Sequence, residues 1–152
     1  MRVLPAPGYL RTGFIAKGAR GMDLSAISSH LRGALPDLLA VYVFGSEAAG
    51  VAGPDSDLDI AVLVETSRDP ATMWRLSGEL SDIAGRHVDL VDLRKASTVM
   101  QSQIVGTGRR LWARDFNAGV YEAFIFNEKL ELDAARAPLI ADIEREGRVH
   151  GR

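Results

Sequence analysis

The chain has 152 residues, with 18 Lys+Arg against 20 Asp+Glu, a formal net charge of −2, 47% hydrophobic residues and no cysteine. That length and balance suit a globular protein with a single core, and they exclude a disordered chain, a repeat array, a disulfide scaffold, a zinc ribbon and thiol chemistry. Near-neutrality argues against wrapping nucleic acid by bulk positive charge, no apolar run reaches the roughly 18–20 residues that span a bilayer, and a cytoplasmic location is expected.

Residues 1–21 hold Arg2, Arg11, Lys17 and Arg20 and no acid, and Gly8, Gly13, Gly18, Pro5 and Pro7 interrupt them. No apolar core of signal-peptide length follows. The segment reads as a flexible basic leader that is present only if translation starts upstream of Met22. Residues 22–152 then form a single domain ending in a C-terminal helix.

From Asp23 to about Leu35, Leu24, Ile27, Leu31 and Leu35 recur at helical spacing. Leu38–Phe44, LLAVYVF, is a short apolar run with the β-branched and aromatic content of a buried strand. Residues 45–56 form a Gly/Ala/Ser/Pro-rich connection. Asp57 to Val64, DLDIAVLV, reads as a second buried strand that opens with carboxylates. Asp69-Pro70 is a helix start, and the helix carries Met73, Leu76, Leu80 and Ile83 and stops at Gly85. His87 to Leu93, HVDLVDL, is a third strand. A short helix over residues 96–105 and a strand at Arg110–Ala113 follow. A long helix with Phe116, Val120, Tyr121, Phe124 and Leu130 comes last, and Pro138 should kink or split it. Alternating helices and strands predict an α/β (α+β) protein, a small mixed sheet flanked by helices. Trp74 and Trp112 are expected in the core. Phe116, Val120 and Phe124 are expected to face the core too, while Tyr121 and Phe126 widen the stripe into the best candidate surface for a protein partner.

The chemistry-bearing stretch runs from Gly45-Ser46 to Asp57-Leu58-Asp59. In a strand, residues i and i+2 share a face, so Asp57 and Asp59 project together. Paired carboxylates repel, and a neighbouring cation offsets that repulsion. Mg²⁺, a hard ion that accepts carboxylate and phosphate oxygens, suits them. Glycine directly after a core strand permits a sharp turn and close ligand approach, and Ser46 adds a hydroxyl. Within HVDLVDL, Asp89 is preferred to Asp92 as a third acid, because Asp92 lies nearer the strand end and is more easily solvated. Three carboxylates can hold two metal ions about 4 Å apart, the arrangement for in-line phosphoryl or nucleotidyl displacement. His30, His87 and His150 show no ligand spacing, and His87 reads as a strand-edge residue. Gly106-Thr107-Gly108 lacks the lysine of a phosphate loop, so Arg109 and Arg110 read as solvated turn residues that reach a triphosphate only if folding brings them near.

Gly45-Ser46, ten intervening residues, Asp57-x-Asp59 and VDLVDL downstream together resemble the minimal nucleotidyltransferases of the DNA polymerase β superfamily, MNT type, over about residues 24–145. The resemblance implies that Gly45 and Ser46 hold a nucleoside triphosphate. Asp57, Asp59 and Asp89 would bind two Mg²⁺ ions, with Asp89 also the base for the attacking hydroxyl. It further implies transfer of a nucleoside monophosphate, AMP from ATP, to a tyrosine of a HEPN-domain toxin, so that the chain is an antitoxin meeting its partner through the C-terminal helix and the active-site face. One departure stands out: Glu47-Ala48-Ala49-Gly50 replaces a run in which many relatives carry a basic or bulky residue after Gly-Ser and an arginine before the next glycine. Only about 60 residues follow Asp89, which leaves little room for an acceptor-binding domain and favours a partner chain. Two other readings are a nucleotidyltransferase acting on an aminoglycoside-like small molecule, and a catalytically silent antitoxin that only covers its partner.

Overall fold

The computed structural model describes residues 24–53 and 55–150, with side chains up to residue 147. The expected leader, residues 1–21, lies outside the described residues. The elements in chain order are α1 (Leu24–Ala34), β1 (Leu38–Phe44), a four-residue helix α2 (Ser46–Ala49), β2 (Leu58–Val64), α3 (Pro70–Ala84), β3 (Val88–Asp92), a 3₁₀ turn (Leu93–Lys95), α4 (Thr98–Thr107), β4 (Arg109–Ala113) and α5 (Asn117–His150). Among the described residues the strands form one mixed sheet in the order β3-β2-β1-β4. β1 pairs antiparallel with β2 and with β4, whereas β2 and β3 run parallel and are joined through α3.

Strand alternation divides the core. Val41, Val43, Ile60 and Val62 face α1 and α3, where Ile27, Leu31, Leu76 and Leu80 meet them. Ala40, Tyr42, Ala61 and Leu63 face α4 and α5, against Ile104, Ala118 and Ile125. A sheet covered on both faces needs strands that are apolar throughout, and β1 and β2 read that way. The helix ends follow local chemistry. Asp69 accepts a hydrogen bond from the Thr72 N–H ahead of Pro70, and Gly85 closes α3 in the left-handed conformation.

Three expectations fail for geometric reasons. Trp74 is 81% exposed. The buried face of α3 carries Met73, Leu76 and Leu80, and one residue further is about 100° round the helix. Phe116, Val120 and Phe124 are exposed as well, since Ala118, Tyr121 and Ile125 supply the inward face of α5 one step away. Pro138 does not split α5, which runs through it. Residues 133–147 are exposed, so water can satisfy the carbonyl that proline leaves without a donor. No helix among the described residues is long and apolar enough to cross a membrane.

Candidate active site

The site is built at the end of the sheet where β1 stops and β2 and β3 begin. Gly45 follows β1 with φ 70° and ψ −147°, a conformation essentially restricted to glycine. A Cβ at this position would lie 2.2 Å from Asp59 Oδ2, so the turn packs directly on that carboxylate. Ser46 opens α2, and Gly50, again left-handed, closes it.

Parallel pairing sets Asp59 of β2 in register with Asp89 of β3. Asp57 lies exposed just ahead of β2. Asp57, His87 and Asp89 each offer a ligand atom within 4.8 Å of the others, and His87 Nε2 is 2.9 Å from Asp89 Oδ1. The three expected acids therefore share one corner, but the tightest trio contains His87 in place of Asp59, whose carboxylate turns toward Gly45. Burial first, then the negative charges of Asp89 and Asp57, hold the Asp59 carboxyl above the usual carboxylate range, while His87 opposes them. Such a group gains most from a divalent cation, and the oxygens of the three carboxylates suit Mg²⁺, with the His87 nitrogen as a further donor within reach. The participation of His87 had a signal in the sequence: it precedes Asp89 by two residues, the spacing that shares a strand face.

Other residues lie differently from expectation. Asp92, not Asp89, is the buried acid of VDLVD, because the chain turns immediately after it and its carboxylate accepts from the Arg94 N–H at 3.0 Å. Asp89 is instead an exposed residue on the outer strand. Arg109 and Arg110 are half-buried strand residues rather than solvated turn residues. The preceding Gly108 sits so close to the Ile104 and Val43 carbonyl oxygens that a Cβ would meet them at 2.3 and 2.8 Å. Arg110 is engaged by Glu122, which also accepts from the Tyr42 hydroxyl at 2.6 Å. Glu47, read as a departure, is only 6% exposed and pairs with Arg86 at 2.6 Å. That ion pair links α2, directly after the Gly45-Ser46 turn, to the residue before His87. Nothing in local periodicity announces a contact between positions 47 and 86.

A groove of about 520 Å³ opens where β3, the outer strand, meets α3. Asp59, Asp89 and His87 stand at its acidic part, and Met73, Trp74, Leu90 and Met100 line its walls. A second concavity of about 580 Å³, lined by Leu39, Glu65, Val120, Tyr121 and Phe124, lies at the opposite end of the sheet.

An α/β domain with a Gly-Ser turn packed on strand-borne aspartates is the architecture of a nucleotidyltransferase. The family described as "Polymerase beta, Nucleotidyltransferase" matches residues 27–117, and the chain belongs to it. Within that family it is of the minimal, MntA-like type. It is 36% identical over 113 residues to the protein adenylyltransferase MntA of Shewanella oneidensis, covering 74% of this chain and 81% of that protein. A crystal structure of a toxin-antitoxin with AMP-PNP superposes with a TM-score of 0.73 at 35% identity, over 79% of this chain and 97% of the other. The tri-AMPylated Shewanella oneidensis HEPN toxin in complex with MNT antitoxin gives a TM-score of 0.67 at 33% identity, over 79% of this chain and 94% of the matched one.

Proposed function

We propose that this nucleotidyltransferase is the antitoxin of a HEPN-type toxin, transferring AMP from ATP to a hydroxyl of that partner in the cytoplasm. One observation carries the reading: Asp59 and Asp89 stand side by side on parallel strands with Gly45 seated against the Asp59 carboxylate. A polyphosphate gripped at the turn thus ends beside the acids. The relatives supply the acceptor class, since the similar MntA is a protein adenylyltransferase and a similar antitoxin is found with an AMPylated HEPN toxin.

Gly45 and Ser46 hold the triphosphate, the glycine by letting the backbone approach and the serine through its hydroxyl. Asp57, Asp59 and Asp89 are the residues that would hold Mg²⁺, two ions in the arrangement proposed, and bound metal would supply charge neutralisation on the triphosphate and polarisation of the attacking oxygen. The acceptor oxygen forms a bond to the α-phosphorus, the bond from that phosphorus to the bridging oxygen breaks, and pyrophosphate leaves. Asp89, the most accessible of the three together with Asp57, takes the hydroxyl proton. The exposed Phe116, Val120 and Phe124, and the exposed Leu139, Ile140 and Ile143 further along α5, give the partner apolar surface to cover.

The test is incubation with ATP labelled at the α-phosphate, Mg²⁺ and the product of the gene adjacent to the one for this chain. Label on that protein, lost with Asp57→Ala plus Asp59→Ala, is the expected result. Neutralisation of the toxin that survives the double substitution, with no label transferred, overturns the catalytic reading in favour of simple covering.

A further inference from the structure

We propose that Asp57, His87 and Asp89 form a mixed nitrogen–oxygen site for a first-row transition-metal ion, and that His87 decides which metal this corner takes. The inference rests on the carboxylate corner of the function proposed above. It adds a nitrogen donor, and with it a metal preference that three carboxylates alone do not give.

The donor set follows from the strands. His87 and Asp89 are two residues apart, so their side chains leave the same face, and His87 Nε2 stands 2.9 Å from Asp89 Oδ1. Asp57 completes a trio whose ligand atoms all lie within 4.8 Å of one another. Asp59 is set apart from it, since its Oδ2 lies against Gly45, 2.2 Å from where a Cβ would be. Ligand atoms bound side by side at about 2.1 Å in an octahedral shell are about 3 Å apart. The His87–Asp89 separation therefore admits an ion in place of the hydrogen-bonded proton without rearrangement.

The backbone of His87 is fixed from both sides. Its carbonyl accepts from the Leu58 N–H at 2.9 Å, between Asp57 and Asp59. Ahead of it, Arg86 is tied to Glu47 at 2.6 Å. Behind it, the Val88 N–H donates to Ser81 Oγ at 2.9 Å. The side chain itself is 58% exposed, so it packs little, and an exposed ion pair with Asp89 contributes little to stability. A donor on a clamped backbone with a free ring is already positioned for a ligand. Imidazole suits transition metals, whereas Mg²⁺ keeps to oxygen and water. The trio accordingly takes Mn²⁺ ahead of Mg²⁺.

The probe is Mn²⁺ added to the full chain without nucleotide and followed by electron paramagnetic resonance, with Mg²⁺ as competitor. The wild type is expected to bind Mn²⁺ at least about tenfold more tightly than Mg²⁺, and to show the nitrogen coupling of a bound imidazole in the pulsed spectrum. His87→Ala is expected to lose that coupling and to weaken Mn²⁺ binding about tenfold, with Mg²⁺ affinity unchanged. Because the side chain is exposed, the variant folds as the parent does, and melting curves check this. Mn²⁺ bound without nitrogen coupling, or equally well by wild type and variant, overturns the inference and leaves an oxygen-only site. Absence of Mn²⁺ binding to the full chain overturns it as well. Label transfer to the adjacent gene's product decides the transfer reading independently of these spectra.

Discussion

Asp59 and Asp89 are neighbours with different surroundings, and their substitutions separate binding chemistry from stability. Asp89 is exposed, so Asp89→Asn should leave the melting temperature unchanged and lower transfer by about 10³-fold or more, roughly 4 kcal/mol of barrier. Asp59 is half-buried and its carboxyl is pushed up, by burial first and then by Asp89 and Asp57. A carboxyl raised in the folded state binds its proton more tightly there than in the unfolded chain, so stability falls as pH rises through the range above its ordinary value of 3.8. Asp59→Asn should accordingly raise the melting temperature at neutral pH without divalent cation, and Mg²⁺ should raise that of the wild type but not that of the variant. Thermal unfolding at pH 4 and 7, with and without Mg²⁺, checks both signs. Gly45→Ala meets a positive φ and a 2.2 Å approach to Asp59 Oδ2. Denaturant unfolding should show a loss of about 1–3 kcal/mol, with transfer abolished even where the variant is folded.

At the scale of elements, the register of β2 against β3 decides which acids meet, and the Glu47–Arg86 pair decides how α2 sits above them. Glu47 is buried, and Arg86 at 2.6 Å is its partner. Removing the arginine leaves an uncompensated buried carboxylate, at a cost of about 3 kcal/mol. Arg86→Ala should therefore unfold at lower denaturant than Glu47→Ala, and a double-mutant cycle should return a coupling of about 1–3 kcal/mol. Since Glu47 follows Ser46 and Arg86 precedes His87, the same substitutions should raise the KM for ATP. Equal destabilisation by the two single variants, with no coupling, would show that the pair is incidental. The Glu47-Ala48-Ala49 departure thus acquires a structural partner across the site.

At the scale of the whole molecule, the elements that bury an apolar run or carry a cap were legible from residues alone. LLAVYVF, DLDIAVLV and the Asp69-Pro70 start each hold their predicted places to within a residue, because alternation and capping are local physics. The sheet order was not legible, because β2 pairing parallel with β3 across α3 depends on how the faces pack together. Asp89 is preferred in the sequence because Asp92 lies nearer the strand end and should be the more solvated, yet Asp89 is exposed and Asp92 is the buried one. The pairing of Asp59 with Asp89 stands while that reason fails. Trp74, Phe116, Val120 and Phe124 depart from expectation for a related cause: apolar content announces burial, and only the angular position on the helix says whether this chain supplies the cover.

The central claim is that the Gly45-Ser46 turn and the carboxylates of Asp57, Asp59 and Asp89 form one metal–nucleotide site. The most direct measurement is a crystal structure of the chain with a non-hydrolysable ATP analogue and Mn²⁺, read by anomalous scattering. The expected result is metal density among the three carboxylates with the triphosphate lying along Gly45 and Ser46. Nucleotide bound in the concavity lined by Tyr121 and Phe124, with no metal at the aspartates, would contradict it.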